Sequence, residues 1–197
     1  MILIKHRVNT VKELVRINPK YGVEIDVRSD KNKLLLNHDP FNKGVDFDSF
    51  LKNFKHNFLI VNVKEEGIEN KILNKLKKNK IKNFFLLDVT IPQLTKILKL
   101  KKEKKIALRI SKYETIEGIL KLSGYVNWIW LDTLDGNLPI SFNQIKKLRK
   151  KRFKICLVSP ELPMKKNLYL YKLKRKIYKK INLFDAICTK KPNTWEL

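Results

Sequence analysis

Glu24 and Asp26 stand one residue apart inside the apolar run Val23–Val27. On a strand, alternate side chains share a face, so both acids point one way while Val23, Ile25 and Val27 point the other. Two carboxylates buried side by side repel, and burying them unpaired is costly. A hard divalent cation with oxygen ligands, Mg²⁺ or Ca²⁺, resolves the conflict; the competing reading is an edge strand carrying two solvated acids. The chain has three His, and two of them, His6 and His38, fall at the ends of apolar runs on either side of the acid pair. Imidazole titrates near neutrality, so two facing His can act as base and acid in a two-step proton transfer. His56, in KHNF, reads as a surface residue.

The elements that must position these groups alternate in type. Short β-rich runs occur at 2–4, 23–27, 58–63, 84–87, 106–110, 126–131, 155–158 and 186–188. Between them lie segments with helical apolar spacing at 11–17, 68–76, 93–100, 115–122, 142–148 and 168–181, several with Thr10, Pro92 or Ser141 at the start. Strand–helix alternation with nearly continuous apolar strands predicts a parallel sheet covered by helices. Eight such strands predict a compact (β/α)8 TIM barrel over residues 1–197, a single domain whose final helix is reduced, because only KKPNTWEL follows the last run. Leu34–Leu36 reads as a hairpin on the second strand, and SPELP after the seventh as an extended loop. A doubly wound nucleotide-binding sheet is disfavoured, since neither GxGxxG nor GxxxxGK[ST] follows the first strand.

Barrel active sites lie at the carboxyl ends of strands. The polar residues placed there are His6 and Arg7, Glu24 and Asp26, His38 and Asp39, Asn62 and Lys64, Asp88, Arg109, Asp132, Ser159 and Glu161, and Lys190. By location alone, Arg109, Ser159, Glu161 and Lys190 are substrate-binding candidates.

The pattern HR, NT, GVEIDVR and LNHDP resembles the signature of the glycerophosphodiester phosphodiesterase family, in the phosphatidylinositol-phospholipase-C-like superfamily of TIM barrels. His6-Arg7 match its HRG opening, Asn9-Thr10 its helix start, Glu24 and Asp26 its ExD, and His38-Asp39 its HD. Asn62 and Lys64 occupy the positions of its third-strand ExK, and the match is concentrated in residues 1–64. The resemblance implies a metal-dependent phosphodiesterase with His6 and His38 as acid and base, Arg7 and Lys64 stabilising phosphoryl charge, and Glu24, Asp26 and Asn62 holding the cation. Val8 replaces the family's Gly. Asn62 replaces a carboxylate, which predicts weaker cation binding, with Asp88 as a substitute ligand.

The formal charge is +25, from 44 Lys+Arg and 19 Asp+Glu. Such an excess invites polyanions. It is mostly Lys on helix-like segments, however, and recognition surfaces favour Arg, so solvated helix faces are the preferred reading over nucleic-acid binding. The expected partner is a small phosphodiester. The alternative is a catalytically impaired barrel that binds nucleic acid or an anionic membrane surface, with NLYLYKLKRKIYKKI as the candidate peripheral segment, although its periodicity is read first as an ordinary barrel helix with its apolar stripe packed on strands; a barrel enzyme acting on a non-phosphate substrate is a third class. Lys interrupts every apolar run, so no membrane span is expected, and the opening MILIKHRVNT lacks the features of a signal peptide, which predicts a cytoplasmic protein. Cys156 and Cys188, each in an apolar run, read as small buried hydrophobes.

Overall fold

The computed structural model describes residues 1–101 and 103–196. The first strand, β1 (Ile2–Lys5), opens an α/β chain. Its residues gather into two compact units, Lys5–Glu103 and Met1–Ile4 with Lys104–Leu197.

In the unit Lys5–Glu103, helix α1 (Val11–Leu14) is capped by Thr10, whose hydroxyl accepts the Glu13 N–H at 3.1 Å. Then come β2 (Gly22–Asp30), β3 (Lys33–Leu36), β4 (Val45–Asp46) and α2 (Phe47–Lys52). They are followed by β5 (Leu59–Val63), α3 (Glu69–Lys78), β6 (Phe84–Leu87) and α4 (Ile91–Lys101). The β2–β5 and β5–β6 pairs are parallel, with Glu24 opposite Ile60 and Asp26 opposite Asn62. β3 returns antiparallel on β2 as the expected hairpin, and β4 continues it. Gly44 is required before β4, because a Cβ there would lie 2.5 Å from the Leu36 carbonyl oxygen. Every residue of β5 and β6 is buried, as strands covered on both faces should be. Ile72 and Leu76 of α3 are completely buried, each contributing about 2 kcal/mol by its removal from water.

The other unit contains β7 (Ala107–Ile110), α5 (Ile116–Leu120), β8 (Trp128–Leu131), α6 (Phe142–Lys150) and β9 (Lys154–Val158). It continues with α7 (Glu161–Met164), α8 (Asn167–Ile177), a 3₁₀ stretch Tyr178–Leu183, β10 (Ala186–Thr189) and a 3₁₀ turn Pro192–Trp195. Strands run in the order β1-β10-β9-β8-β7, with β10–β9, β9–β8 and β8–β7 parallel. Ser141 starts α6 with a full capping box to Gln144. Leu170, Leu173 and Ile177 of α8 bury its inner stripe. Cys156 and Cys188 are free thiols inside buried strands, as expected.

Two expectations are corrected here. SPELP is not extended, for Glu161–Met164 forms a helical turn closed by Lys165 at φ 55°. The apolar pattern also missed the short elements β4 and α2. No helix among the described residues is long and apolar enough to cross a membrane.

Candidate active site

Lys5–Glu103 brings the sequence-predicted residues of the acid site together. Strand β2 buries Glu24 and Asp26 at 1% exposure each, so they are not solvated edge-strand acids. Just after β1, Arg7 adopts φ 54°, a left-handed conformation that a bulky side chain like Arg takes only under constraint. The twist points its main-chain N–H at Glu24, donating to Oε2 at 2.7 Å. His6 Nε2 lies 3.7 Å from the same oxygen. Val8 then donates its N–H to the Glu24 carbonyl at 2.8 Å, so the segment after β1 is tied to β2 through both side chain and backbone.

Asp26 is surrounded by donors. Asn9 Nδ2 donates to Oδ2 at 2.9 Å, and Asn9 Oδ1 accepts the Asp26 N–H at 2.9 Å, a reciprocal clamp. Asn62 Nδ2 donates to Oδ1 at 3.2 Å. Lys64 Nζ stands 3.3 Å from Oδ1 and Arg7 Nε 3.6 Å from Oδ2. Both cations therefore lie against one carboxylate. Sequence reasoning placed Asn9 only at a helix start; a short amide two residues past His6-Arg7 was the available signal for its role as the Asp26 clamp.

Glu24 is treated differently by its surroundings. Its pKa is pushed up to about 8, first by burial and then by the negative charge of Asp26; the Arg7 N–H bond, Asn62 and Lys64 pull in the opposite direction without cancelling it. Glu24 Oε1 and Asn62 Oδ1 are buried and accept no hydrogen bond. Buried acceptors are nearly always satisfied, so two orphaned oxygens on the adjacent strands β2 and β5 are informative. Their chemistry, one carboxylate and one amide oxygen beside Asp26, fits a hard divalent cation. Among the described residues, no group of three or more His, Cys, Asp or Glu is arranged to hold a metal, so any such site relies on the Asn62 amide. Asp88, the alternative ligand, is exposed at φ 59° beyond β6.

His38 joins the cluster through the main chain. Asn37 donates its N–H to the Asp26 carbonyl at 3.1 Å, which sets the start of the loop that carries His38. Arg28 donates through Nε and Nη2 to the His38 carbonyl at 3.2 and 2.9 Å and through Nη1 to the Lys64 carbonyl at 3.3 Å, linking the two segments. The His38 Nδ1–Asp39 Oδ1 contact is 2.7 Å. With Nδ1–H donating to Asp39, Nε2 is the nitrogen presented for proton transfer. That bond holds the Asp39 carboxyl below its ordinary range. The HD dipeptide gave the signal for this pair; nothing local marked Arg28.

His56 is corrected: it is buried rather than on the surface. Its Nε2 lies 3.1 Å from the Ile17 carbonyl and its ring 5.7 Å from that of Phe54; burial pulls its pKa down, with the Ile17 contact opposing.

The four substrate-binding candidates lie in the other unit. Arg109 pairs with Asp132. Glu161 is 6% exposed and fully engaged: Ser159 donates to Oε2, Thr189 donates to Oε1 at 2.5 Å, and the Lys190 N–H donates to Oε1 at 3.1 Å. Trp195 Nε1 donates to Ser159 Oγ at 3.1 Å. Ser159, Glu161 and Lys190 are thus brought together, tying the ends of β9 and β10 to the final turn.

No protein-family model and no curated protein matches the chain. Solved structures do. A glycerophosphodiester phosphodiesterase from Thermotoga maritima aligns over 99% of this chain and 96% of its own, with a TM-score of 0.70 at 19% identity. The fold is that of the glycerophosphodiester phosphodiesterases. One from Agrobacterium tumefaciens covers 98% of this chain and 97% of its own at TM-score 0.68 and 12% identity. An Oleispira antarctica phosphodiesterase in complex with the product sn-glycerol-3-phosphate covers 98% and 94% at TM-score 0.68 and 14% identity. The (β/α)8 fold class predicted from the strand–helix rhythm agrees with this likeness.

Proposed function

We propose that the chain hydrolyses a phosphodiester whose alcohol is glycerol-like or another polyol. The observation that carries this reading is the buried acid pair Glu24 and Asp26, gathered with His6, Arg7, Asn62 and Lys64 on a fold shared with glycerophosphodiester phosphodiesterases. The sn-glycerol-3-phosphate held by the Oleispira neighbour supports a glycerol phosphate as the class of product.

In this reading Glu24, Asp26 and Asn62 hold Mg²⁺ or Ca²⁺, which when bound polarises the phosphoryl oxygens and acidifies a neighbouring hydroxyl or water. One of His6 and His38 accepts the nucleophile's proton, and the other protonates the leaving oxygen. Asp39 accepts the Nδ1–H of His38, which leaves Nε2 as the nitrogen that takes up or gives back the proton. Arg7, 44% exposed, and Lys64, 19% exposed, already stand beside Asp26 and offer positive charge to the phosphoryl oxygens as charge builds there. Their attraction to Asp26 keeps both heads oriented before substrate arrives.

The test is hydrolysis of glycerophosphodiesters and of a chromogenic phosphodiester by the wild type, His6→Ala and His38→Ala, with circular dichroism confirming that each folds. Losing a general acid or base costs about 10² to 10⁴ in turnover. Chelation is expected to silence the wild type, and added Mg²⁺ or Ca²⁺ to restore it. Wild-type rates in both His variants overturn the assignment.

A further inference from the structure

Helix α8 uses one face for packing and leaves a second apolar face uncovered. Leu170, Leu173 and Ile177 are buried on the inner side. On the opposite side Leu168 is 58% and Tyr171 55% exposed, and Tyr178, at the start of the following 3₁₀ stretch, is 62% exposed. Leu168, Tyr171 and Arg175 follow one another at helical three- and four-residue steps, so they form a stripe with exposed Lys172 and Lys176 along its flank. The segment between Leu162 and Phe184 carries eight Lys and Arg and no Asp or Glu. Core packing explains the inner stripe and leaves the outer one unexplained. A solvated Lys face explains the charge and leaves Leu168 and the two tyrosines unexplained.

We propose that this outer face of α8 is a peripheral docking surface for an anionic lipid membrane. Charge complementarity selects a polyanionic partner, and the apolar stripe selects among polyanions. Tyrosine rings settle at the level of lipid headgroups, and a leucine gains free energy by entering the acyl boundary. A nucleic-acid backbone offers Leu168 nothing. Seven of the eight basic residues are Lys, whose compact ammonium suits a diffuse anionic surface better than bidentate reading of bases or phosphates. Lys and Arg stems lying along the surface extend its apolar contact while their heads reach anionic headgroups. Docking of this kind stands independently of the catalytic proposal, since no residue in it belongs to the acid site.

Sedimentation of the full chain with phosphatidylcholine vesicles, with and without phosphatidylglycerol, tests it. Binding is expected to the anionic vesicles alone and to weaken with salt. Each basic residue at the surface contributes about fivefold, so Lys172→Glu with Lys176→Glu is expected to weaken binding by at least about 25-fold. Leu168→Ser with Tyr171→Ser is expected to cost roughly tenfold through lost apolar burial. Phosphodiester hydrolysis in solution stays unchanged in both double variants. Tyr171→Trp supplies a readout that does not depend on either double variant folding: the emission it adds to that of the wild type shifts to the blue on anionic vesicles. Equal binding to both vesicle types, wild-type affinity in the Leu168/Tyr171 variant, an unmoved added emission in the Tyr171→Trp variant, or displacement from vesicles by duplex DNA each overturns the proposal.

Discussion

Each unit buries a glutamate, Glu24 within β2 and Glu161 just past β9, and the two are kept in opposite ways. Glu161 accepts from Ser159, Thr189 and the Lys190 main chain, so both of its oxygens are engaged. Glu24 accepts one main-chain N–H on Oε2, has His6 near that oxygen, and leaves Oε1 without a donor. The first arrangement makes a brace, because a buried carboxylate surrounded by donors holds its neighbours in place. The second stores unmet electrostatic demand, which folding alone would have removed. The two acids differ in the number of donors facing them, while their exposures, 1% and 6%, are nearly the same.

That contrast can be broken by experiment. The largest expected effect concerns Glu24. Its folded pKa of about 8 lies above the ordinary 4.5, so the native state keeps a proton that the unfolded chain releases. Without divalent ions, stability should therefore fall as pH rises from about 4.5 to 8, by up to roughly 5 kcal/mol, and level off beyond. Thermal melts of the chelated protein and of Glu24→Gln across that range check this; the variant's curve should be flatter. A wild type that gains stability over the same window contradicts the shifted acid. Next in size, Glu161→Ala should lower stability by about 3 kcal/mol, because it strands the Ser159 and Thr189 hydroxyls, with little dependence on divalent ions. Denaturant titration measures it. The smallest effect sharpens the comparison: Asn62→Asp restores a third acid beside Glu24 and Asp26 and should tighten Mg²⁺ or Ca²⁺ binding by roughly tenfold in calorimetry, while the same titration of Glu161→Ala matches the wild type.

Much of this was legible along the chain. Periodicity located strands such as β2 and β6, and the Thr10 and Ser141 caps marked helix starts, because both signals are local. The shared face of Glu24 and Asp26 followed from the two-residue repeat of a strand. The missing parts are those in which distant segments meet. Glu161–Met164 is a four-residue turn containing Pro163, too short to show a helical period. His56 is buried because Ile17, thirty-nine residues earlier, offers a carbonyl and the tilted Phe54 ring lies close by, neither of which KHNF announces. The enclosure of Asp26 by Asn9, Asn62, Lys64 and Arg7 needed β2 and β5 in register. The resemblance assigned Arg7 and Lys64 to the phosphate, and their prior engagement with Asp26 is visible only in three dimensions.

On the proposed reading, the raised proton affinity of Glu24 would make cation loading an exchange. Near neutrality a divalent ion held at Glu24 as proposed would displace a hydrogen ion into the medium, coupling loading to acid release. The heat measured on loading should then vary with the ionisation enthalpy of the buffer, and mild acidity should empty the pocket before it disturbs the rest of the molecule.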